Sequence, residues 1–156
     1  MTPELEFPSS AEVLKRWLKR SRESQLSHQL MAEQLSSVHR WLGMLTIGIT
    51  AIAGATTLLA TLGDISKVFL ALFTLLAAIL SSLQTFLKLE DRTNLHRLAG
   101  AGYGGVRRKL ELAMSLESPE KETRLKEAET ELNKLATESP SVSKRVYDAA
   151  LKRNGQ

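Results

Sequence analysis

The chain has 156 residues, 43% of them hydrophobic, and carries 21 Lys and Arg against 17 Asp and Glu, for a net charge of +4. A balance so small and so mixed excludes a polycationic nucleic-acid coat, and any anion site has to be local. With no cysteine, there is neither a disulfide framework nor a thiolate metal site.

Residues 1–8, with Pro3 and Pro8 and little periodicity, read as a loose lead-in. A helix is predicted from Ser9, because Ser9 and Glu12 have the spacing of a capping box, in which hydroxyl and carboxylate each satisfy a free backbone N–H. Leu14, Trp17, Leu18, Leu26, Leu30, Leu35 and Val38 then fall mostly on one face. This periodicity predicts an amphipathic helix over 9–40.

The next stretch sets the class. From Trp41 to Gly63, 23 residues lack Asp, Glu, Lys and Arg, and from Val68 to Leu87 another 20 are equally bare. As helices these runs extend roughly 35 and 30 Å, close to the thickness of a hydrocarbon core. Core helices of soluble proteins seldom stay uncharged beyond roughly 14 residues, and an apolar run beginning some forty residues in does not fit a cleaved signal peptide. Spans are therefore predicted over 41–63 and 68–87. Gly63-Asp64-Ile65-Ser66-Lys67 is long enough only to turn the chain round, which puts both tails on one side. Those tails hold 20 of the 21 Lys and Arg residues, so both termini are expected in the cytoplasm.

Small and hydroxylated residues align along each span. Thr46, Thr50, Gly54, Thr57 and Thr61 follow steps of four, four, three and four, and Thr74, Ala78, Ser81 and Thr85 do likewise, flanked by Ser82 and Gln84. In lipid such faces form packing seams. They also suit the wall of a pore, for which several copies must assemble, since two helices cannot enclose a water path; a closed ring of identical subunits, a tetramer, is expected. Neither span carries a charge, which argues against a proton pump or a charge-coupled transporter.

Beyond the second span, Leu95, Leu98, Ala99, Gly102, Val106, Leu110, Ala113 and Leu116 make a stripe of mostly three- and four-residue steps, predicting a juxtamembrane helix over 88–117. Ser118-Pro119-Glu120 is a stop and restart, after which Leu125, Ala128, Leu132 and Leu135 carry a further helix. Ser139-Pro140 restarts a last short one, with Val142, Val146 and Ala149 or Ala150 inward and Lys152 and Arg153 near its C-terminal end. No strand pattern and no repeat occur. The expected fold is all-α: a two-helix transmembrane hairpin with a long amphipathic N-terminal helix, and C-terminal cytoplasmic helices over 118–156 forming a helical bundle.

No constellation looks catalytic: there is no activated nucleophile, acid–base pair or metal site. His28, His39 and His96 lie on separate segments without zinc spacing; His39 and His96 each adjoin an Arg near a membrane boundary and read as interfacial anchors or members of a polar network. Gly100-Ala101-Gly102-Tyr103-Gly104-Gly105 matches G-x-G-x-x-G, but a dinucleotide site needs a strand before the glycines, and here helix precedes them. Gly100, Gly102, Gly104 and Gly105 each cost a helix about 1 kcal/mol against alanine, so they should serve a close helix–helix approach or a bend. Arg107-Arg108-Lys109, with Arg97 and Arg92 nearer the membrane, is the best candidate anion site. It suits anionic lipid headgroups, or a nucleotide whose phosphates take bidentate Arg donors while Tyr103 offers a stacking surface.

The segment His39-Arg40-Trp41-Leu42-Gly43 entering the first span, the short turn, Phe86-Leu87-Lys88-Leu89-Glu90 leaving the second, and His96-Arg97-x-Ala99 followed by Tyr103 and Arg107 or Arg108 together resemble the SLATT family of bacterial two-helix membrane effectors. The resemblance covers about residues 10–117 and implies an effector domain over 9–117. It further implies a pore-forming protein of a bacterial anti-phage, abortive-infection system in the inner membrane, neither an enzyme nor in need of a cofactor. A cyclic or linear oligonucleotide made by a partner nucleotidyltransferase, and no duplex nucleic acid, would activate it or hold it inhibited. The alternative is a non-conducting membrane anchor or adaptor that recruits a soluble partner through 118–156.

Overall fold

The computed structural model describes residues 9–58, 63–117 and 119–154. The lead-in 1–8, Thr61 of the first stripe and Ser118 of the restart signal lie outside the described residues. Those described form five helices: α1 (Ser10–Leu58), α2 (Asp64–Leu87), α3 (Leu89–Ser115), α4 (Glu120–Glu138) and α5 (Lys144–Asn154). None of them is in a strand, and the class is all-α.

α1 opens on the capping box. The Ser9 backbone N–H donates to Glu12 Oε2 at 3.1 Å, and the Glu12 N–H donates to Ser9 Oγ at 3.3 Å. The helix then runs for 49 residues without a break, so the amphipathic segment and the described part of the first apolar run are one helix. α2 starts earlier than position 68. Gly63 takes the N-cap with extended backbone, Asp64 complements the dipole in the first turn, and Lys67 Nζ sits 3.0 Å from its carboxylate. Asp64 to Lys67, expected as a turn, is thus the first turn of a helix.

Lys88 ends α2 in the left-handed region, φ 44° and ψ 44°, and is the non-glycine residue with positive φ among those described. α3 follows at once and stays helical through Gly100–Gly105. After α4, Pro140 and the residues up to Ser143 are non-helical, and α5 starts at Lys144 rather than directly after Ser139-Pro140. The Ser143 carbonyl accepts from the N–H groups of Val146 and Tyr147 in the first turn of α5, and Val146 and Ala150 are buried.

The chain divides into two compact units. One joins Met1–Ala32 to Asn94–Gln156. Its core is Leu14 from α1, Val106 and Leu110 from α3 and Ala128 from α4, with Trp17, Leu18, Leu125, Leu132 and Leu135 packed around them. α4 shares this core with α1 and α3.

The other unit, Glu33–Thr93, contains the rest of α1 and all of α2. Ile49, Ala53, Ala77 and Leu89 are buried here, and Gln84 Nε2 donates to Thr46 Oγ1 across the two helices at 3.2 Å. Its surface is apolar: Trp41, Ile47, Ile65, Phe69 and Phe86 are all more than half exposed. Among the described residues one helical stretch, within Asp64–Ser115, is apolar and long enough to cross a membrane. Its most apolar window has a mean hydropathy of 2.0 and is 6% buried. A helix so apolar and so little covered leaves a large apolar face open on the single chain. The described part of α1 is less apolar because Gly43, Gly48, Gly54 and the threonines dilute its leucines and isoleucines, and residues 59–62 lie outside the described set.

Candidate functional site

In the first unit three helix faces converge. Trp17, Arg20, Ser24 and His28 on α1 are three and four residues apart and therefore share a face; so do Glu129, Leu132, Asn133 and Ala136 on α4. Between them α3 presents His96 and Tyr103.

The glycines of α3 govern how near the neighbouring helices come. A Cβ at Gly100 would meet the Gln25 carbonyl oxygen, Gln29 Cγ and His28 Cβ at 3.5 Å, and one at Gly104 would meet Gln25 Nε2 at 3.0 Å. On a different face, a Cβ at Gly102 would lie 2.7 Å from Leu135 Cδ2 of α4. Gly105 has open space, with Arg108 Nη2 at 4.0 Å. Gly100 and Gly104 thus sit against α1, and Gly102 against α4.

That approach brings two histidines together. His28 Nδ1 and His96 Nδ1 are 2.9 Å apart, with ring centroids at 5.2 Å and planes tilted by 40°. Both rings are buried. At this distance one nitrogen donates and the other accepts, so the facing atoms share a single proton. Burial, and secondarily the charge that His96 can carry, lower the His28 pKa from 6.5 to about 4. His28 is therefore neutral at physiological pH. Tyr103 stacks on it, centroids 5.5 Å apart and planes within 16°.

Tyr103 also lines a cavity of about 250 Å³, whose other walls are Trp17, Arg20 and Ser24 from α1 and Glu129, Leu132, Asn133 and Ala136 from α4. Of the six residues that the sequence offers as a phosphate site, Tyr103 is the one in this wall. The basic residues do not gather: at about 100° per residue, consecutive positions point in different directions round a helix. Arg107 Nε lies 3.3 Å from Glu111, and Lys109 is bridged to Glu131 of α4. Arg97 and Arg108 are exposed, and Arg92, also exposed, belongs to the other unit.

Arg20, Glu129 and Asn133 are not singled out by any motif or spacing in the sequence, and His28 and His96 lie there on separate segments. The available signal was the pair Gly100 and Gly104, four apart, which marks a close approach without naming the partner helix. Among the described residues there is no group of three or more His, Asp or Glu suited to a metal ion.

In the second unit the two small-residue stripes meet. Thr46, Thr50, Gly54 and Thr57 of α1 and Thr74, Ala78 and Ser81 of α2 line one open groove of about 420 Å³, together with the buried Ala53 and Ala77. The hydroxyls of Thr46, Thr50 and Thr57 donate to carbonyls four residues back, at 2.8–2.9 Å, and Thr74 donates to Ala71. Their donors are satisfied within the helix, leaving oxygen lone pairs for the groove. Thr85, not in this lining, is exposed and donates to the Ser81 carbonyl.

Comparison with protein-family models, with curated proteins and with solved structures finds no match to this chain.

Proposed function

We propose that this chain is an oligomeric pore-forming membrane effector of the SLATT type. In this reading α1 beyond residue 40 and α2 cross the bacterial inner membrane as a hairpin, both termini lie in the cytoplasm, and four copies close a ring. The observation that carries it is the meeting of the two stripes on one groove, on a pair of helices whose other surfaces are apolar. A lone pair of helices has no use in lipid for an open groove lined by hydroxyl oxygens. Copies arranged in a ring can turn those grooves toward a common axis, where the oxygens face water.

The helices of the first unit form the regulatory bundle, and a cyclic or linear oligonucleotide from a partner nucleotidyltransferase sets the gate. A ligand that prefers the closed arrangement holds the pore silent, and one that prefers the open arrangement opens it. Opening dissipates the membrane potential and arrests the infected cell.

The test is electrical. Purified full-length protein in a planar bilayer should give discrete conductance steps, and its overproduction should depolarise bacterial cells read with a potential-sensitive dye. A protein that inserts yet carries no current and leaves the potential intact would instead be an anchor or adaptor working through 118–156.

A further inference from the structure

The cavity beside the histidine pair has a distinctive wall. Trp17 and Tyr103 are aromatic, Arg20 supplies a guanidinium, Glu129 a carboxylate, and Asn133 both a donor and an acceptor. Arg20 and Glu129 enter no ion pair among the described residues, whereas Arg107, Lys109 and Arg124 each hold a glutamate. Two charged groups, both exposed to solvent, therefore border the same space without a charged partner on the chain. α1, α3 and α4 each contribute, so an occupant touches all three helices at once.

Size narrows the occupant. About 250 Å³ lies below the roughly 300–1,000 Å³ of sites for drug-sized ligands. It suits one planar ring with a polar substituent, not a whole oligonucleotide.

We propose that this cavity is the nucleotide site and that it takes one base of the ligand. The ring lies against Trp17 and Tyr103, Arg20 takes the adjoining phosphate in a bidentate contact, and Asn133 with Glu129 meets the edge of the base. The remainder of a cyclic or linear oligonucleotide stays at the mouth. The inference rests on the nucleotide-gated reading above and moves the binding site away from the Arg107-Arg108-Lys109 cluster. It also supplies a link to packing. Tyr103 is both a wall of the cavity and the ring stacked on His28, so an occupant bears on the contact between α1 and α3.

The chain contains two tryptophans, so Trp41→Phe leaves Trp17 as the sole reporter in the solubilised full-length protein. Titration with adenosine monophosphate or cyclic di-adenosine monophosphate should quench Trp17 saturably. Adenosine should bind about tenfold or more weakly, for want of the phosphate that Arg20 takes, and inorganic phosphate should leave the emission unchanged. Arg20→Ala should weaken nucleotide binding about tenfold or more with no loss of helical circular dichroism, while Lys126→Ala, on the exposed side of α4, should have no effect. Absence of a saturable response to both nucleotides, or equal affinity of parent and Arg20→Ala, overturns the proposal. Binding that depends on Arg20 in a protein that never conducts would keep the site and remove the pore. Nucleotide-responsive currents without a Trp17 response would keep the pore and remove the site.

Discussion

His28 Nδ1 lies 2.9 Å from His96 Nδ1, joining residues 68 positions apart through one shared proton between α1 and α3. Protonating both rings would set two N–H groups head to head in a buried space, and the fold resists this by depressing the basicity of His28.

Stability should therefore fall on the acid side. The His28 pKa is about 4 in the folded chain and 6.5 as its ordinary value, so below pH 6.5 the unfolded chain takes up a proton that the folded one refuses. Its contribution is intact above pH 6.5, declines as pH falls toward 4, and amounts to about 3 kcal/mol at full depth. Denaturant unfolding of solubilised protein, followed by circular dichroism between pH 7.5 and 4.5, should show a steeper acid loss for the parent than for His28→Gln. Parallel profiles would contradict a His28 held neutral by burial.

The glycines of α3 should separate by what faces them. Gly105→Ala enters open space and should stabilise by up to about 1 kcal/mol through helix propensity alone. Gly100→Ala meets ordinary van der Waals contacts at 3.5 Å and should be neutral to mildly stabilising. Gly102→Ala and Gly104→Ala must displace Leu135 and the Gln25 carboxamide, so both should fall below Gly105→Ala in melting temperature. If Gly105→Ala instead alters gating without raising stability, that glycine serves as a bend.

Lys109 and Glu131 tie α3 to α4, yet both side chains are more than a third exposed. Solvent screening holds such a pair to about 1 kcal/mol or less. A double-mutant cycle with Lys109→Ala and Glu131→Ala, read by chemical denaturation, should give a coupling within that bound.

Gln84 and Thr46 form the hydrogen bond between α1 and α2. On the membrane reading, replacing either partner by an apolar residue should cost about 0.6–2 kcal/mol. Gln84→Leu and Thr46→Val together should cost less than the sum of the two, because each removes the same bond. Unfolding in mixed micelles measures this, and strict additivity would mean that the bond does not form in lipid.

Local signals were legible in the sequence, and long-range partners were not. The Ser9–Glu12 box follows from residues three apart, where spacing suffices, whereas the left-handed break at Lys88, expected as the start of the helix over 88–117, carried no such signal. The stripes of Thr, Gly, Ala and Ser were visible on each helix, but a periodic pattern identifies a face without saying what it looks at; only the fold places both stripes on one groove. The same limit hid the histidine pair and scattered the basic cluster. Arg107, Arg108 and Lys109 adjoin in sequence and point apart on a helix, whereas Trp17, Tyr103 and Asn133 are far apart in sequence and line one cavity.

If the hydroxyl groove becomes the wall of a pore, its residues must be reached from water while the apolar surface is not. Because the chain has no cysteine, single cysteines at Thr57 and Ser81, in the groove, can be compared with one at Phe69, which is exposed on the apolar surface of α2. A positively charged, membrane-impermeant thiol reagent applied during bilayer recording should suppress the current of Thr57→Cys and Ser81→Cys and spare that of Phe69→Cys. Current unaffected at both groove positions, or lost at Phe69→Cys alone, would mean that the groove does not line a pore.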